Sequence, residues 1–207
     1  MTTLVKICGI NSPESLDAAA DAGADYVGFV FFPPSPRALT PAQAAALSAH
    51  RPGGPARVGL FVDPTDDDVA DTLASLPLDV LQVHATPDRA AALRARFGVP
   101  VWAVTGVGDA ADLPDGAAGV DGLLLDAKAP PGAALPGGNA RTFDWSMLRG
   151  WTAPAPWLLA GGLTPDNVAE AVRISGAPAV DVSSGVERSR GVKDTGLIQA
   201  FVRNARA

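Results

Sequence analysis

One residue of the 207 carries a thiol: Cys8, which closes the apolar run LVKIC. A thiol accepts protons or attacks carbon only as its thiolate, so its neighbours decide its chemistry. Side chains alternate along a strand. In LVKIC this puts Val5 and Ile7 on one face and Lys6 and Cys8 on the other, where the lysine charge would favour the thiolate. The same parity turns further groups inward. Asp126 opposes Leu123 and Leu125 in GLLLD, His84 opposes Leu81 and Val83 in LQVHA, and Asp181 and Ser183 oppose Val180 and Val182 in AVDVS. A thiol, an imidazole and two carboxylates at strand ends are suited to moving protons on a small molecule. Each also has a plainer role. Cys8 can be a small buried apolar group, Asp126 a helix cap, and His84 a core imidazole bonded to backbone. Lys6 and Asp181 can form a structural ion pair. His50, beside RPGG at a helix end, suits the helix dipole and is assigned no function.

Two glycine-bearing turns lie downstream. LLAGGLTPDNV places Gly161 and Gly162 after one apolar run, and AVDVSSGVE places Ser183, Ser184 and Gly185 after the next. Glycine lets backbone N–H groups approach an anion closely, so the pair reads as a phosphate cradle, or else as two tight turns. Arg37 projects from the proline-stiffened loop FFPPSPRAL. Its guanidinium can grip a carboxylate through two parallel hydrogen bonds, unless it is simply a solvated surface arginine.

These groups need elements to hold them. Short apolar runs begin at Leu4, Tyr26, Arg57, Val80, Pro100, Gly122, Trp157 and Ala179, with helix-length segments between most of them. Ser12-Pro13, Thr40-Pro41, Thr86-Pro87 and Thr164-Pro165 each read as a helix start, a hydroxyl cap before a proline that loses no hydrogen bond. Eight strand–helix units without a compositional break predict an α/β protein, a single (β/α)₈ TIM barrel over residues 1–207. The alternative, an open doubly wound sheet, would show G-x-G-x-x-G after its first strand, where CGINSPES stands. The barrel's active face is the C-terminal end of its strands, where Cys8, Asp63, His84, Asp126 and the two glycine turns fall. The helix after the fifth strand, in TGVGDAADLPDGAAG, is expected to be short or absent. The Pro/Gly/Ala-rich segment 127–142 reads as a flap over the active face, or as a tolerated insertion.

The bulk properties narrow the partners. The chain is 47% hydrophobic and 18% charged, with a formal net charge of -6. No basic cluster points to nucleic acid or an anionic membrane, no apolar run spans a bilayer, and no basic-then-apolar leader stands at the N-terminus. One cysteine makes no internal disulfide, which suits a reducing, cytoplasmic setting. Two histidines, one at an expected helix end, make a metal-dependent sugar-phosphate epimerase a poor fit. A monomer is expected, with a homodimer as the alternative.

VKICGI, GFVFFPPSPR, VGLFVD, LQVH, LLLDAK, FDW, LAGGLTPDNV and DVSSGVE…GVKD follow one another in this order along essentially the whole chain. As a set they resemble the phosphoribosylanthranilate isomerase family of tryptophan biosynthesis. The resemblance implies a (β/α)₈ barrel that performs an Amadori rearrangement of N-(5-phosphoribosyl)anthranilate by acid–base catalysis, without metal or organic cofactor. It implies Cys8 as general base and Asp126 as general acid. Arg37 then holds the anthranilate carboxylate, and Gly161, Gly162, Ser183, Ser184 and Gly185 bind phosphate. His84 and Asp181 fall in the pocket. The chain departs from the family pattern at Ala85, where glycine is usual, at GGNAR in place of a GGTGK-like flap, and at Arg190, where proline often stands. Three other readings compete. The histidine-pathway isomerase carries aspartate where Cys8 stands; a related isomerase would act on another sugar phosphate; a non-catalytic phosphate-binding barrel would need neither Cys8 nor Asp126.

Overall fold

The computed structural model describes residues 2–130 and 141–207. Strands β1 (Leu4–Cys8), β2 (Tyr26–Val30), β3 (Ala56–Val62), β4 (Val80–His84), β5 (Val101–Val107), β6 (Gly122–Ala127), β7 (Trp157–Leu159) and β8 (Ala179–Val182) pair in parallel, in chain order. β8 returns to β1, so the sheet closes into the expected (β/α)₈ barrel. That closing register sets Lys6 opposite Asp181 and Ile7 opposite Val182.

Parity sorts the core into two layers. Outward residues such as Ile7, Leu81, Leu123, Leu125, Val180 and Val182 pack under the helices. Inward residues Val58, Val80, Trp102, Leu124, Leu158, Ala160 and Ala179 fill the barrel axis. Above this plug the inward positions include the polar residues of the candidate site, beside the apolar Val30, Leu60 and Val62.

Helices α1 (Pro13–Asp21), α2 (Pro41–His50) and α4 (Pro87–Phe97) start at three of the expected Ser/Thr-Pro dipeptides, each with the hydroxyl accepting from a first-turn N–H. The fourth dipeptide differs. Thr164-Pro165 opens a turn, and α5 runs Val168–Ser175 with no side-chain cap bond. The Asn167 side chain bonds back to Thr164 N and Gly162 O, which ties the turn to the glycine loop in place of a cap. Thr65 and Asp68 form a reciprocal capping box at α3 (Asp66–Ser75) that was not foreseen, because proline precedes the threonine, and Asp194 supplies another unforeseen helix cap by accepting from Leu197 N. After β5 only a 3₁₀ turn, Ala110–Asp112, appears, and another, Trp145–Leu148, precedes β7. Most of the segment read as a flap, residues 131–140, lies outside the described residues. After β8 an unforeseen two-stranded excursion, β9 (Glu187–Ser189) and β10 (Val192–Lys193), precedes α6 (Thr195–Ala205).

The N-terminal rim repeats one device. Asp25, Asp79 and Asp121, each just before an even-numbered strand, accept from Val5, Arg57 and Val101 of the preceding strand at 2.7, 2.6 and 2.9 Å. Each bond satisfies an N–H that the ladder leaves free at a strand start. No helix among the described residues is long and apolar enough to cross a membrane.

Candidate active site

The C-terminal mouth of the barrel holds one pocket lined by Cys8, Arg37, Gln82, His84, Leu124, Asp126, Asp181 and Ser183, with an empty space of about 540 Å³. A second lobe is lined by Gly161, Gly162, Ser183, Ser184 and Gly185. Asp126, Asp181 and Ser183 border both lobes, so the two are continuous. The ten residues assigned a catalytic or binding role therefore border one concavity, whereas Asp63, after β3, is not among its lining residues.

At its base, Lys6 is fully buried and donates to Asp181 Oδ1 at 2.7 Å. Burial alone would discharge Lys6, but the charge of Asp181 and its hydrogen bond outweigh it and raise the ammonium's pKa. Cys8 lies beside this pair and is 3% exposed. The sequence led us to expect that Lys6 would favour a thiolate. Lys6 does pull the thiol down, as does Lys193, but burial and the Asp181 charge push harder, and the pKa rises. Cys8 therefore rests as a thiol, and the thiolate is a minor form at neutral pH.

Asp126 behaves in the opposite sense to most carboxylates. Burial, reinforced by the charge of Asp181, pushes it up to about 7 against a bond from Ala127 N at 2.8 Å. A carboxyl poised there can donate a proton at neutral pH. His84 is brought down to about 4, first by burial and then by the charge of Lys6, so it stands in the pocket as a neutral imidazole.

The second lobe is made of backbone. Among the described residues, the N–H groups of Gly161, Gly162, Ser184 and Gly185 have no hydrogen-bond partner. Gly161 takes φ +86°, and a Cβ there would press on Ala127 N and crowd Asp126 Oδ1. At Gly185 a Cβ would collide with Leu163 O, so glycine is what allows the two loops to touch. The result is a concave run of free donors, the arrangement that binds a phosphate without a lysine.

Arg37 is not a solvated surface arginine. It is 5% exposed, and its Nε and Nη2 donate to Glu187 Oε1 and Oε2 at 2.6 and 3.0 Å. Lys193 Nζ, at 3.0 Å, and Gly191 N, at 3.0 Å, complete four donors on Glu187. Burial would raise the Glu187 pKa, but these donors hold it at about 2. Burial lowers the Lys193 pKa, and the carboxylate of Glu187 opposes that shift. Glu187 occupies one edge of the guanidinium and leaves the other, Nη1 with Nη2, for a second carboxylate. Sequence reasoning assigned Glu187 and Lys193 no role, because the Arg37–Glu187 contact spans 150 positions. It also passed over Gln82, which parity alone could have found, two residues before His84 on the same inward face. Among the described residues, no group of His, Cys, Asp or Glu is arranged to hold a metal.

A model of the N-(5'-phosphoribosyl)anthranilate (PRA) isomerase family matches residues 5–204. The chain belongs to the PRA isomerase family. An N-(5'-phosphoribosyl)anthranilate isomerase of Granulibacter bethesdensis is 56% identical over 209 residues, covering 99% of this chain and 100% of that protein. The phosphoribosyl anthranilate isomerase of Thermotoga maritima has the same architecture, with a TM-score of 0.84 at 33% identity and 98% of each chain covered. Another PRA isomerase was solved in complex with reduced 1-(o-carboxyphenylamino)-1-deoxyribulose 5-phosphate. It matches with a TM-score of 0.81 at 30% identity, again over 98% of each chain. The chain is thus an isomerase of the aldose–ketose type, on a TIM barrel.

Proposed function

We propose that this isomerase converts N-(5-phosphoribosyl)anthranilate to 1-(2-carboxyphenylamino)-1-deoxyribulose 5-phosphate with Asp126 as general acid and Cys8 as general base. The observation that carries the assignment is the half-buried Asp126, its pKa raised to about 7, sharing one pocket with Cys8. A barrel that only held phosphate would gain nothing from so costly a carboxyl. The free donors of Gly161, Gly162, Ser184 and Gly185, with Ser183 beside them, take the phosphate. The open edge of Arg37 takes the anthranilate carboxylate, and the sugar then lies between Cys8 and Asp126. His84 and Asp181 complete its walls.

In the first step Asp126 gives its proton to the ribose ring oxygen. The C1′–O bond breaks as the anilino nitrogen lone pair forms a protonated Schiff base. Cys8 as thiolate then removes the C2′ proton, and the electron pair moves through C1′ to nitrogen to give an enolamine. The enolamine takes a proton at C1′ and releases one from its C2′ hydroxyl, which restores both protein groups and leaves the ketone. C1′ is reduced and C2′ oxidised, so no external redox partner is required. A substrate with two anionic ends suits a net-negative protein only where local donors gather, as they do here.

The test is the loss of phosphoribosylanthranilate fluorescence on adding the purified protein. Rapid loss with the wild type and almost none with Cys8→Ser is expected. An inert wild type refutes the reaction; near-normal turnover in Cys8→Ser refutes the base. We further read the working form as a monomer. Leu4 and Val192 are the large hydrophobic residues left exposed among those described, which leaves no broad apolar face to cover. Sedimentation at micromolar concentration decides this.

A further inference from the structure

Gln82 is the middle residue of β4, on the inward face, in register with Leu60 of β3 and Trp102 of β5. It lines the pocket with Cys8, His84, Leu124 and Asp126 and is 2% exposed. Its side-chain oxygen is shielded from water and has no hydrogen-bond partner among the described residues. A buried amide left unpaired is a liability to the folded state, because it has exchanged water for nothing. The layer just beneath it shows that the barrel can fill its axis with apolar side chains: Val58, Val80, Trp102, Leu124 and Leu158 do so. A leucine or methionine at position 82 would extend that plug. The polar group is therefore retained against the packing preference of its surroundings, and the space it faces is the pocket.

We infer that Gln82 is a substrate-binding residue whose amide pairs with a hydroxyl of the open-chain sugar. The inference rests on the reaction proposed above. An amide offers both a donor and an acceptor, as a hydroxyl does, so the two can pair in either sense. The charged ends of the substrate are already provided for, by Arg37 at one end and the glycine loops at the other. The uncharged sugar between them lies over the inward faces of β1, β4 and β6, where Cys8, Gln82 and Asp126 stand. Burial makes the pairing selective. A sugar that presents no hydroxyl leaves the amide unpaired in a closed, dry space.

A structural amide and a substrate-binding amide respond oppositely to replacement. The experiment compares wild type, Gln82→Met and Gln82→Leu by thermal unfolding without ligand, by turnover of phosphoribosylanthranilate, and by calorimetric binding of the unreactive reduced 1-(o-carboxyphenylamino)-1-deoxyribulose 5-phosphate. Both variants are expected to melt a few degrees higher than wild type. Both are expected to lose about tenfold to a hundredfold in kcat/KM, with a matching loss in analogue affinity. A lower melting temperature in both variants makes Gln82 a structural residue and overturns the inference. So does unchanged analogue affinity in a stabilised variant. Those two outcomes leave the proposed reaction standing if wild type still turns over, whereas a wild type that neither turns over substrate nor binds the analogue removes both.

Discussion

Asp121 and Asp126 stand at opposite ends of β6 and have opposite fates. Asp121, on the N-terminal rim, accepts from Arg94 Nε at 2.8 Å and from Val101 N at 2.9 Å, and these donors, the Arg94 bond foremost, lower its pKa. Asp126, at the C-terminal mouth, is half-buried, and desolvation together with the Asp181 charge raises it to about 7. One strand thus presents the same side chain as a structural clasp at its base and as a proton store at its top. Donors and solvent make the difference, since the residue type is identical. The rim aspartates stabilise the closed barrel; the mouth aspartate weakens it, a cost that the proposed role as general acid would explain.

The comparison breaks most sharply on turnover. Asp126→Asn and Cys8→Ser are each expected to lower kcat by a factor on the order of 10²–10⁴, with analogue affinity nearly unchanged. Asp121→Ala should leave kcat at the wild-type value. Loss of turnover in the rim variant would erase the distinction.

Glu187→Gln sharpens it at the mouth. It leaves Arg37 and Lys193 without their shared counter-charge and frees the guanidinium to turn. An approximately tenfold rise in KM with a smaller change in kcat is expected, a binding defect from loss of a charge-assisted pair. An analogue lacking the anthranilate carboxylate should not distinguish the variant from wild type.

Stability against pH should separate the two aspartates next. The folded-state pKa of Asp126 is raised, so the folded protein holds a proton that the unfolded chain releases near pH 4, and stability is lost as pH rises from there to about 7. Asp126→Asn escapes this loss. Its melting temperature should exceed that of wild type by an increment that grows between pH 4 and 7 and then stays constant, worth a few kcal/mol at most. Asp121 has the reverse sign. Its lowered pKa contributes stability above its unfolded value, which disappears as pH falls. Asp121→Ala should cost about 1–2 kcal/mol at pH 7, mostly through the unpaired Val101 N–H, and less as the solution is acidified. The smallest effect expected is Thr65→Ala at the α3 capping box, about 1 kcal/mol by chemical denaturation with kinetics untouched.

What the sequence made legible follows from the range of the interactions involved. Strand parity is local, so Cys8, His84, Asp126 and Asp181 could be turned toward one axis from short runs alone, and closure of the sheet then gathered them. Capping is local too, and three Ser/Thr-Pro starts hold. Thr164-Pro165 does not, because the Asn167 side chain is drawn to the Gly162 carbonyl and the turn serves the cradle instead. The resting state of Cys8 was not legible. Lys6 is its neighbour in sequence, but burial and Asp181, brought across from β8, outweigh it. Nor was the pairing of Arg37, whose partner belongs to the β9–β10 excursion at the far end of the chain.

That excursion has one more consequence. Ser184 and Gly185 border the lobe proposed to take the phosphate, and Glu187, two positions beyond Gly185, holds the arginine proposed to take the carboxylate. One short stretch of backbone therefore carries both jaws of a caliper, with Lys193 and Gly191 locking its setting from behind. On the proposed binding mode, the gauge of this enzyme, the span between the two anionic ends of a molecule, would be set by covalent spacing along a single chain segment, so changing what fits would mean lengthening or shortening that segment.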